Sequence, residues 1–373
     1  MIYFDCSATS LEKPPEVAEA TAWAIGHLGN AGRSFYGAAM QASREIFAVR
    51  RQVAGLVGLA SPLQVAFTSS ATESLNLVVQ ALVRPEDHVI TTVLEHNSVL
   101  RPLYGSGCRL SFLNCDDEGN LLLESLASLV QPSTKYVFAT HGSNVLGTLT
   151  NARQLAALCR AHGLTLVLDI SQTLGHTAVT ADRADVFCFT GHKGLMGPQG
   201  TGGIAARQGL KFTVTKTGGA GYNSFAKNQG TAMPEVFEAG TANAHGLFGL
   251  QKGAAFVSAI GVPAIEQKEQ ALARCFWNRL QGTAGIKLYG PPPEGRLGVV
   301  AVTVGGQNSE ETALRLWEGR QIATRPGSHC APLLHTRFGT EKSGMVRFSF
   351  GYFNTFAEVD TAADALCHIA AGH

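Results

Sequence analysis

The sequence predicts an α/β protein of two lobes: a large domain built on a mainly parallel sheet, and a smaller α+β C-terminal domain. Three observations predict it. From about residue 60 to 210, short apolar runs alternate with helical stretches, the pattern of a parallel sheet covered on both faces. The last third changes to fewer, more widely spaced elements around a turn-rich loop. A chain of 373 residues is also long for one ordinary domain, so two lobes about a shared cleft are expected. The large domain is expected over residues 14–252. Residues 1–13 and 253–373 should form the small domain.

Taken in order, residues 16–28 read as a short amphipathic helix after Pro14 and Pro15. Residues 63–67 read as a strand that turns at once into a helix, on which Leu75, Val78, Val79 and Leu82 share one face. Further strands are expected over residues 88–93, 110–113, 135–140, 164–169 and 186–189. A helix over residues 151–162 has Asn151 at its start and Gly163 just past its end, as capping chemistry predicts. In the last third, residues 299–304 and 345–350 read as strands, and 308–319 and 356–370 as helices. Between them, residues 325–332 are too rich in turn formers for regular structure.

Composition narrows the function. The chain is 45% hydrophobic and 15% charged, enough for a large core and unlike a disordered segment. A formal net charge of +1 gives no electrostatic reason to expect nucleic acid or membrane as a partner. Forty-two glycines suggest close backbone approaches to a ligand as well as turns. The N-terminus lacks the basic start and apolar core of a signal peptide, and no apolar run reaches membrane-spanning length. Eight cysteines without a C-x-x-C pair argue against a zinc site or a disulfide framework. A cytoplasmic enzyme is expected.

In parallel-sheet folds, ligands bind beyond the carboxyl ends of the strands. Five such ends carry polar groups: Ser69 to Thr72, Glu95 and His96, His141 to Asn144, Asp169 to Gln172, and Thr190 to Lys193. Asp169 closes an apolar run, where a carboxylate is costly unless paired; it could equally cap a helix or form a salt bridge. Lys193, alone, reads as a surface residue. Together they match the needs of pyridoxal phosphate: a lysine for the Schiff base, and an acid that keeps the pyridine nitrogen protonated. Ala71, Thr72 and Glu73 lie where strand becomes helix, and their free N–H groups suit a phosphate, with Thr190 and His192 as further donors. Ordinary N-capping accounts for the same residues. His96 could stack on a cofactor ring or be structural. Gly197 to Gly203 lacks the G-x-G-x-x-G order of a dinucleotide loop. Cys159, Cys188 and Cys367 fall in regular elements and read as small apolar residues. Cys330 instead sits in a Gly- and Pro-bracketed loop beside His329, a setting that favours thiolate. Arg347, on an apolar strand, suits bidentate capture of a carboxylate or an internal salt bridge.

In order and number, these residues resemble the class V aminotransferase family, and within it the cysteine desulfurases and selenocysteine lyases. The resemblance runs from Tyr3, Phe4 and Asp5 through residues 30–34, Ala71 to Asn76, Glu95–His96, Ser143 to Gly147, Asp169 and Gln172. It continues with Thr190 to Lys193, Phe237 to Thr241 and His329 to Ala331, and ends with Arg347, Asn354 and Thr355. It implies the fold type I of pyridoxal-phosphate transferases and assigns roles position by position. Lys193 is the Schiff-base lysine, His96 stacks on the ring, Asp169 pairs with the pyridinium and Gln172 contacts the ring hydroxyl. Ala71, Thr72, Thr190 and His192 hold the phosphate, with Thr241 acting from the partner subunit of a homodimer. Asn144 and Arg347 hold the substrate carboxylate, and Cys330 receives sulfur from L-cysteine.

The short stretch from Cys330 to Arg347 resembles the group II branch, which implies a separate protein as sulfur acceptor. Three departures stand out: Cys6–Ser7 where the family carries Asn-Ala, Ala242 in place of a proline, and a loose match over residues 30–33. A selenocysteine lyase shares every one of these residues. A pyridoxal-phosphate C–S lyase, transaminase or epimerase would leave Cys330 without a role, and a scaffold without turnover would leave the whole set idle.

Overall fold

A computed structural model describes residues 1–32, 34–219, 221 and 224–372; Arg33 lies outside the described residues. The chain opens with β1 (Ile2–Tyr3), α1 (Pro15–His27) and the long α2 (Gly37–Val57). The large sheet follows, through β2 (Val65–Thr68), α3 (Ala71–Leu82), β3 (His88–Thr92), α4 (Asn97–Gly105) and β4 (Arg109–Leu113). It continues through α5 (Leu126–Leu129), β5 (Thr134–Thr140), α6 (Ala152–Ala161), β6 (Thr165–Asp169), β7 (Val186–Thr190) and β8 (Gly202–Ala206). Then come α7 (Ala244–Ile260), α8 (Val262–Leu280), β9 (Ile286–Tyr289), β10 (Val299–Val304), α9 (Ser309–Arg320), β11 (Ile322–Ala323), α10 (Pro332–Phe338), β12 (Val346–Ser349) and α11 (Phe356–Ala370).

In space the seven strands run β2-β8-β7-β6-β5-β3-β4. β3 to β7 pair in parallel, and β8 runs antiparallel to both β7 and β2. Successive side chains face opposite sides. Val137 and Ala139 therefore pack under α2 and α6, while Phe138 packs in a second cluster with Leu75, Val78 and Val79 of α3. Burial on both faces explains why these strands are almost wholly apolar. Chain order reverses between β3 and β5, so the crevice at their carboxyl ends is where a ligand belongs.

The smaller layer is the antiparallel sheet β9-β10-β12, packed on α8 and α11 around Phe276, Phe348 and Phe350. Phe4 joins this core, and β1 pairs in parallel with β11. A further cluster of Leu94, Val145, Leu146, Ala331, Leu334 and Met345 joins residues from both sheets beneath the Cys330 loop. Among the described residues no single helix is long and apolar enough to cross a membrane.

Candidate active site

The site is built on the five strand ends, starting at α3. Ser70 caps this helix, its Oγ accepting from the Glu73 N–H at 3.1 Å. Glu73 reaches back to the Ser69 N–H at 2.6 Å, which fixes the turn. Among the described residues the N–H groups of Ala71 and Thr72 have no hydrogen-bond acceptor, as at the start of any helix. Thr72 shares a 2.7 Å hydrogen bond with Ser98 at the start of α4.

His96 caps α4, its Nδ1 accepting from the Ser98 N–H at 3.0 Å. That bond assigns the hydrogen of the neutral ring to Nε2. Burial lowers its pKa to about 4; Asp169 opposes the shift, while Lys193, Arg325 and Arg347 add to it. His96 is therefore a neutral imidazole.

Asp169 ends β6, buried, with Oδ1 accepting from the Ser171 N–H at 2.9 Å. No donor among the described residues reaches its other oxygen. Lys193 lies just past β7, and its amine likewise has no hydrogen bond or ion pair among the described residues. Burial lowers its pKa to about 8, against the pull of Asp169 and with the repulsion of Arg347 and Arg325. An amine poised near neutrality and a carboxylate with a vacant acceptor, held within each other's field, satisfy the donor set that pyridoxal phosphate requires.

The flanking residues hold this pair in place. Thr190 is buried and bonds the Thr201 carbonyl at 3.4 Å. His192 Nδ1 meets Thr9 Oγ1 at 3.0 Å, and Ser10 Oγ donates to the Lys193 carbonyl at 2.8 Å. Burial lowers the His192 pKa to about 4, with Lys193 and Lys13 adding to the shift. Gln172 donates through Nε2 to the Ser7 carbonyl at 3.0 Å. Ser7 takes part here through its backbone carbonyl, which any residue at that position would supply. Cys6 is buried beside Asn354 and lines a small cavity of about 190 Å³ with His176 and Glu269.

Glu95 is fully buried between β3 and β5. Its Oε1 accepts from Thr92 Oγ1 at 2.6 Å and the Thr140 N–H at 2.8 Å, and its Oε2 has no partner. Burial pushes its pKa up to about 8, with Asp169 adding to the shift. It is a neutral acid at pH 7.

The smaller layer brings the last two groups. Arg347 on β12 is buried, donating from Nη1 to the Asn144 carbonyl at 3.0 Å and from Nη2 to Asp5. Its Nε is an orphaned buried donor. The internal salt-bridge reading accounts for Nη2, and Nε is the one guanidinium nitrogen without a partner among the described residues.

The Cys330 loop is irregular, as expected, and unusually constrained. His329 and Cys330 both adopt positive φ, 51° and 56°, a region non-glycine residues seldom enter. Around the thiol, Asn144 Nδ2 donates to the His329 carbonyl at 2.9 Å, the Asn97 N–H donates to the Cys330 carbonyl at 2.7 Å, and the His329 ring meets the Arg325 carbonyl at 2.9 Å. The first two tie the thiol to the end of β5 and to the helix that His96 caps.

Thr241 stands apart. It is exposed and lines a cavity of about 550 Å³ with Arg50, Phe67 and Glu238, and none of Lys193, His96 or His192 lines it. Glu238 anchors this segment through a two-pronged ion pair with Arg50 at 2.8 and 3.0 Å and a 2.7 Å bond from the Phe67 N–H.

Sequence reasoning did not single out Ser98, which links Thr72 to His96. Its position two residues after His96 is the signal that could have found it. Nor did it single out Arg325, whose charge acts on Lys193, His96 and Arg347. No local pattern marks a residue that acts through space.

Comparison with known proteins places the whole chain. A cysteine desulfurase of Salmonella agona is 32% identical over 386 residues, covering 99% of this chain and 93% of the relative. The apo structure of cysteine desulfurase from Thermococcus onnurineus NA1 superposes with a TM-score of 0.91 at 32% identity, covering 100% of this chain and 95% of that one. The cysteine desulfurase CsdA (S-sulfonic acid) from Escherichia coli gives a TM-score of 0.87 at 25% identity, covering 99% and 94%. The family description "Aminotransferase class-V" matches residues 2–361, and the chain belongs to that family.

Proposed function

We propose that this protein is a pyridoxal-phosphate-dependent cysteine desulfurase, converting L-cysteine to L-alanine and leaving the sulfur as a persulfide on Cys330. The observation that carries the reading is the Cys330 loop, held by Asn144 and Asn97 against the site of Lys193, His96 and Arg347. A thiol without a chemical role would not need a backbone forced into two consecutive left-handed conformations.

Lys193 would attach the cofactor, and the free oxygen of Asp169 would take its ring nitrogen. His96 and Gln172 would meet its ring, and Ala71, Thr72, Thr190 and His192 would hold its phosphate. When bound, the cofactor supplies an electron sink for the pairs freed at the substrate Cα and Cβ. Arg347 orients the substrate carboxylate, with Asn144 beside it and the unpartnered Nε as an open donor. Lys193 Nζ takes the Cα proton and moves it onward. His96, with its depressed basicity, stays neutral through that step. Cys330 Sγ attacks the substrate sulfur as a thiolate. The S–Cβ bond breaks, its electron pair leaves with the carbon that becomes alanine, and the new S–S bond stays on the protein.

The same reading makes the enzyme a homodimer. Phe35 and Phe225 are 97% and 101% exposed, and Tyr36 and Phe47 are also exposed. A dimer interface over this side would cover such rings. Thr241, exposed and in a cavity that none of Lys193, His96 or His192 lines, would then serve the partner's site. Eight free cysteines support a reducing, cytoplasmic setting, and a protein is the natural onward acceptor of the sulfur.

The test is cysteine turnover with and without reductant, following alanine and sulfide, for wild type beside Cys330→Ala. Both products from wild type alone are expected. Equal turnover by the two proteins would move the enzyme to the general lyases or transaminases.

A further inference from the structure

Cys330 lies at the edge of a groove of about 720 Å³ between α3 and α4. One wall is a stripe of α3, with Thr72, Asn76 and Val79 at helical spacing, continued by Val83 just past the helix end. From Thr72 to Val83 it runs about 16 Å at 1.5 Å per residue. The other wall is α4, where Arg101 projects one turn beyond Asn97. Arg101 is exposed and has no hydrogen bond or ion pair among the described residues. With His96 neutral, it is the one formal charge among the described residues lining the groove, and none of them is a carboxylate.

We propose that this groove seats a short extended segment of the sulfur-acceptor protein, with its thiol at Cys330 and an acidic side chain on Arg101. The proposal rests on the desulfurase reading given above and adds the position and charge of the partner. The groove is longer than a free amino thiol, and about five extended residues at 3.3 Å each span it. Asn97, whose N–H holds the Cys330 carbonyl, precedes Arg101 by four residues. That is about 6 Å along the helix, which puts the acidic residue about two positions from the acceptor cysteine. The transfer step balances without an added oxidant or reductant. The acceptor thiolate forms a bond to the outer sulfur of the Cys330 persulfide while the bond from Cys330 to that sulfur breaks. The electron pair of the broken bond stays on Cys330 as thiolate, and the persulfide moves to the acceptor.

The experiment begins with alkylation of Cys330 in the cofactor-loaded protein, by iodoacetate and by iodoacetamide, read at Cys330 by mass spectrometry. The ratio of the two rates is expected to fall at least threefold in Arg101→Gln and further in Arg101→Glu. Iodoacetamide serves as the uncharged control. A ratio unchanged in both variants overturns the proposal. This readout needs no persulfide, so it is independent of the desulfurase reading. Sulfur transfer from persulfide-loaded enzyme to six-residue cysteine peptides completes it. A peptide with Asp two positions from Cys should outpace its Asn counterpart in wild type, and one with Lys there should be preferred by Arg101→Glu. Equal rates for all three peptides overturn the proposal, as does an effect of Arg101 variants confined to dimer dissociation, which would give the groove to a second copy of the chain. A charge-dependent alkylation ratio in a protein that forms no persulfide would instead remove the desulfurase reading and leave the anion-selective groove.

Discussion

Replacing Glu95 with Gln should make the protein more stable at neutral pH and flatten its pH dependence. Glu95 is an acid with a folded pKa near 8 against an ordinary value of 4.5. For an acid with a raised pKa, folding takes up a proton that the unfolded chain has already released. Stability attached to this group is therefore complete below about pH 4.5, falls as pH rises, and levels off above about pH 8. Each unit between those limits costs about 1.4 kcal/mol, so at pH 7 the wild type bears on the order of 3 kcal/mol that Gln does not. Gln keeps the acceptor for Thr92 and the Thr140 N–H, and it puts an amide where an unpartnered acid oxygen now sits. The packing and the unmet polar group are nearly matched, and the proton linkage is what differs. The assay is urea unfolding of both proteins in the same cofactor state at half-unit steps from pH 5 to 8.5. The gap between their midpoints should open steadily in favour of Gln. Parallel profiles across that range would refute the reasoning, because they would mean that Glu95 folds with its charge.

Four further outcomes are expected. Uptake of pyridoxal phosphate by the cofactor-free protein requires the neutral Lys193 amine, so its rate should rise about tenfold per pH unit up to about pH 8 and then level off; stopped-flow absorbance would expose a midpoint near the ordinary lysine value instead. Asp169→Asn should move that midpoint lower, since it removes the neighbour that favours the lysine charge; the same absorbance titration reads it. Arg347→Lys loses the planar fork shared by Asp5 and the Asn144 carbonyl and should raise KM for cysteine at least tenfold, measured by initial rates. Mixing inactive Lys193→Ala with inactive Thr241→Ala should restore up to a quarter of wild-type activity through hybrid dimers with one intact site, and no recovery after subunit exchange would remove Thr241 from the partner's site.

How much could be seen beforehand depended on how each element is buried. β3, β5, β6 and β7 are short apolar runs ending in polar groups, and they were legible to within a residue or two. α11, with a capping box of Thr355 and Glu358 at its start, matched the expected bounds. α2 was not read because its inward face uses Ala39 and Ala42 as well as Val49 and Val53, and alanine carries little periodic contrast. α7 is packed on several sides, so Gly246, Leu247, Phe248 and Gly249 are all buried and no stripe stands out. β8 was hidden by its glycines. A side chain on Gly203 would come within 2.5 Å of the Ala66 carbonyl and the Phe189 ring, so the strand needs the residues that make it look like a loop. In the site, the strand-end residues announced themselves by chemistry that is costly inside an apolar layer. Arg325 and the open Nε of Arg347 could be seen only once the two sheets were laid together.

The conformation at His329 and Cys330 bears on any attempt to move this chemistry elsewhere. Two adjacent non-glycine residues in the left-handed region hold something on the order of 1 to 3 kcal/mol each, and the loop's own sequence would relax if left to itself. Besides the His329–Arg325 contact within the loop, what keeps it in place belongs to other parts of the chain, among them the Asn144 amide from beyond β5 and the Asn97 N–H from the start of α4. The octapeptide from Arg325 to Pro332 is therefore not a portable module. Transplanted onto a foreign scaffold it would carry the thiol but not the posture, and only a host that also supplies both donors would inherit the reaction.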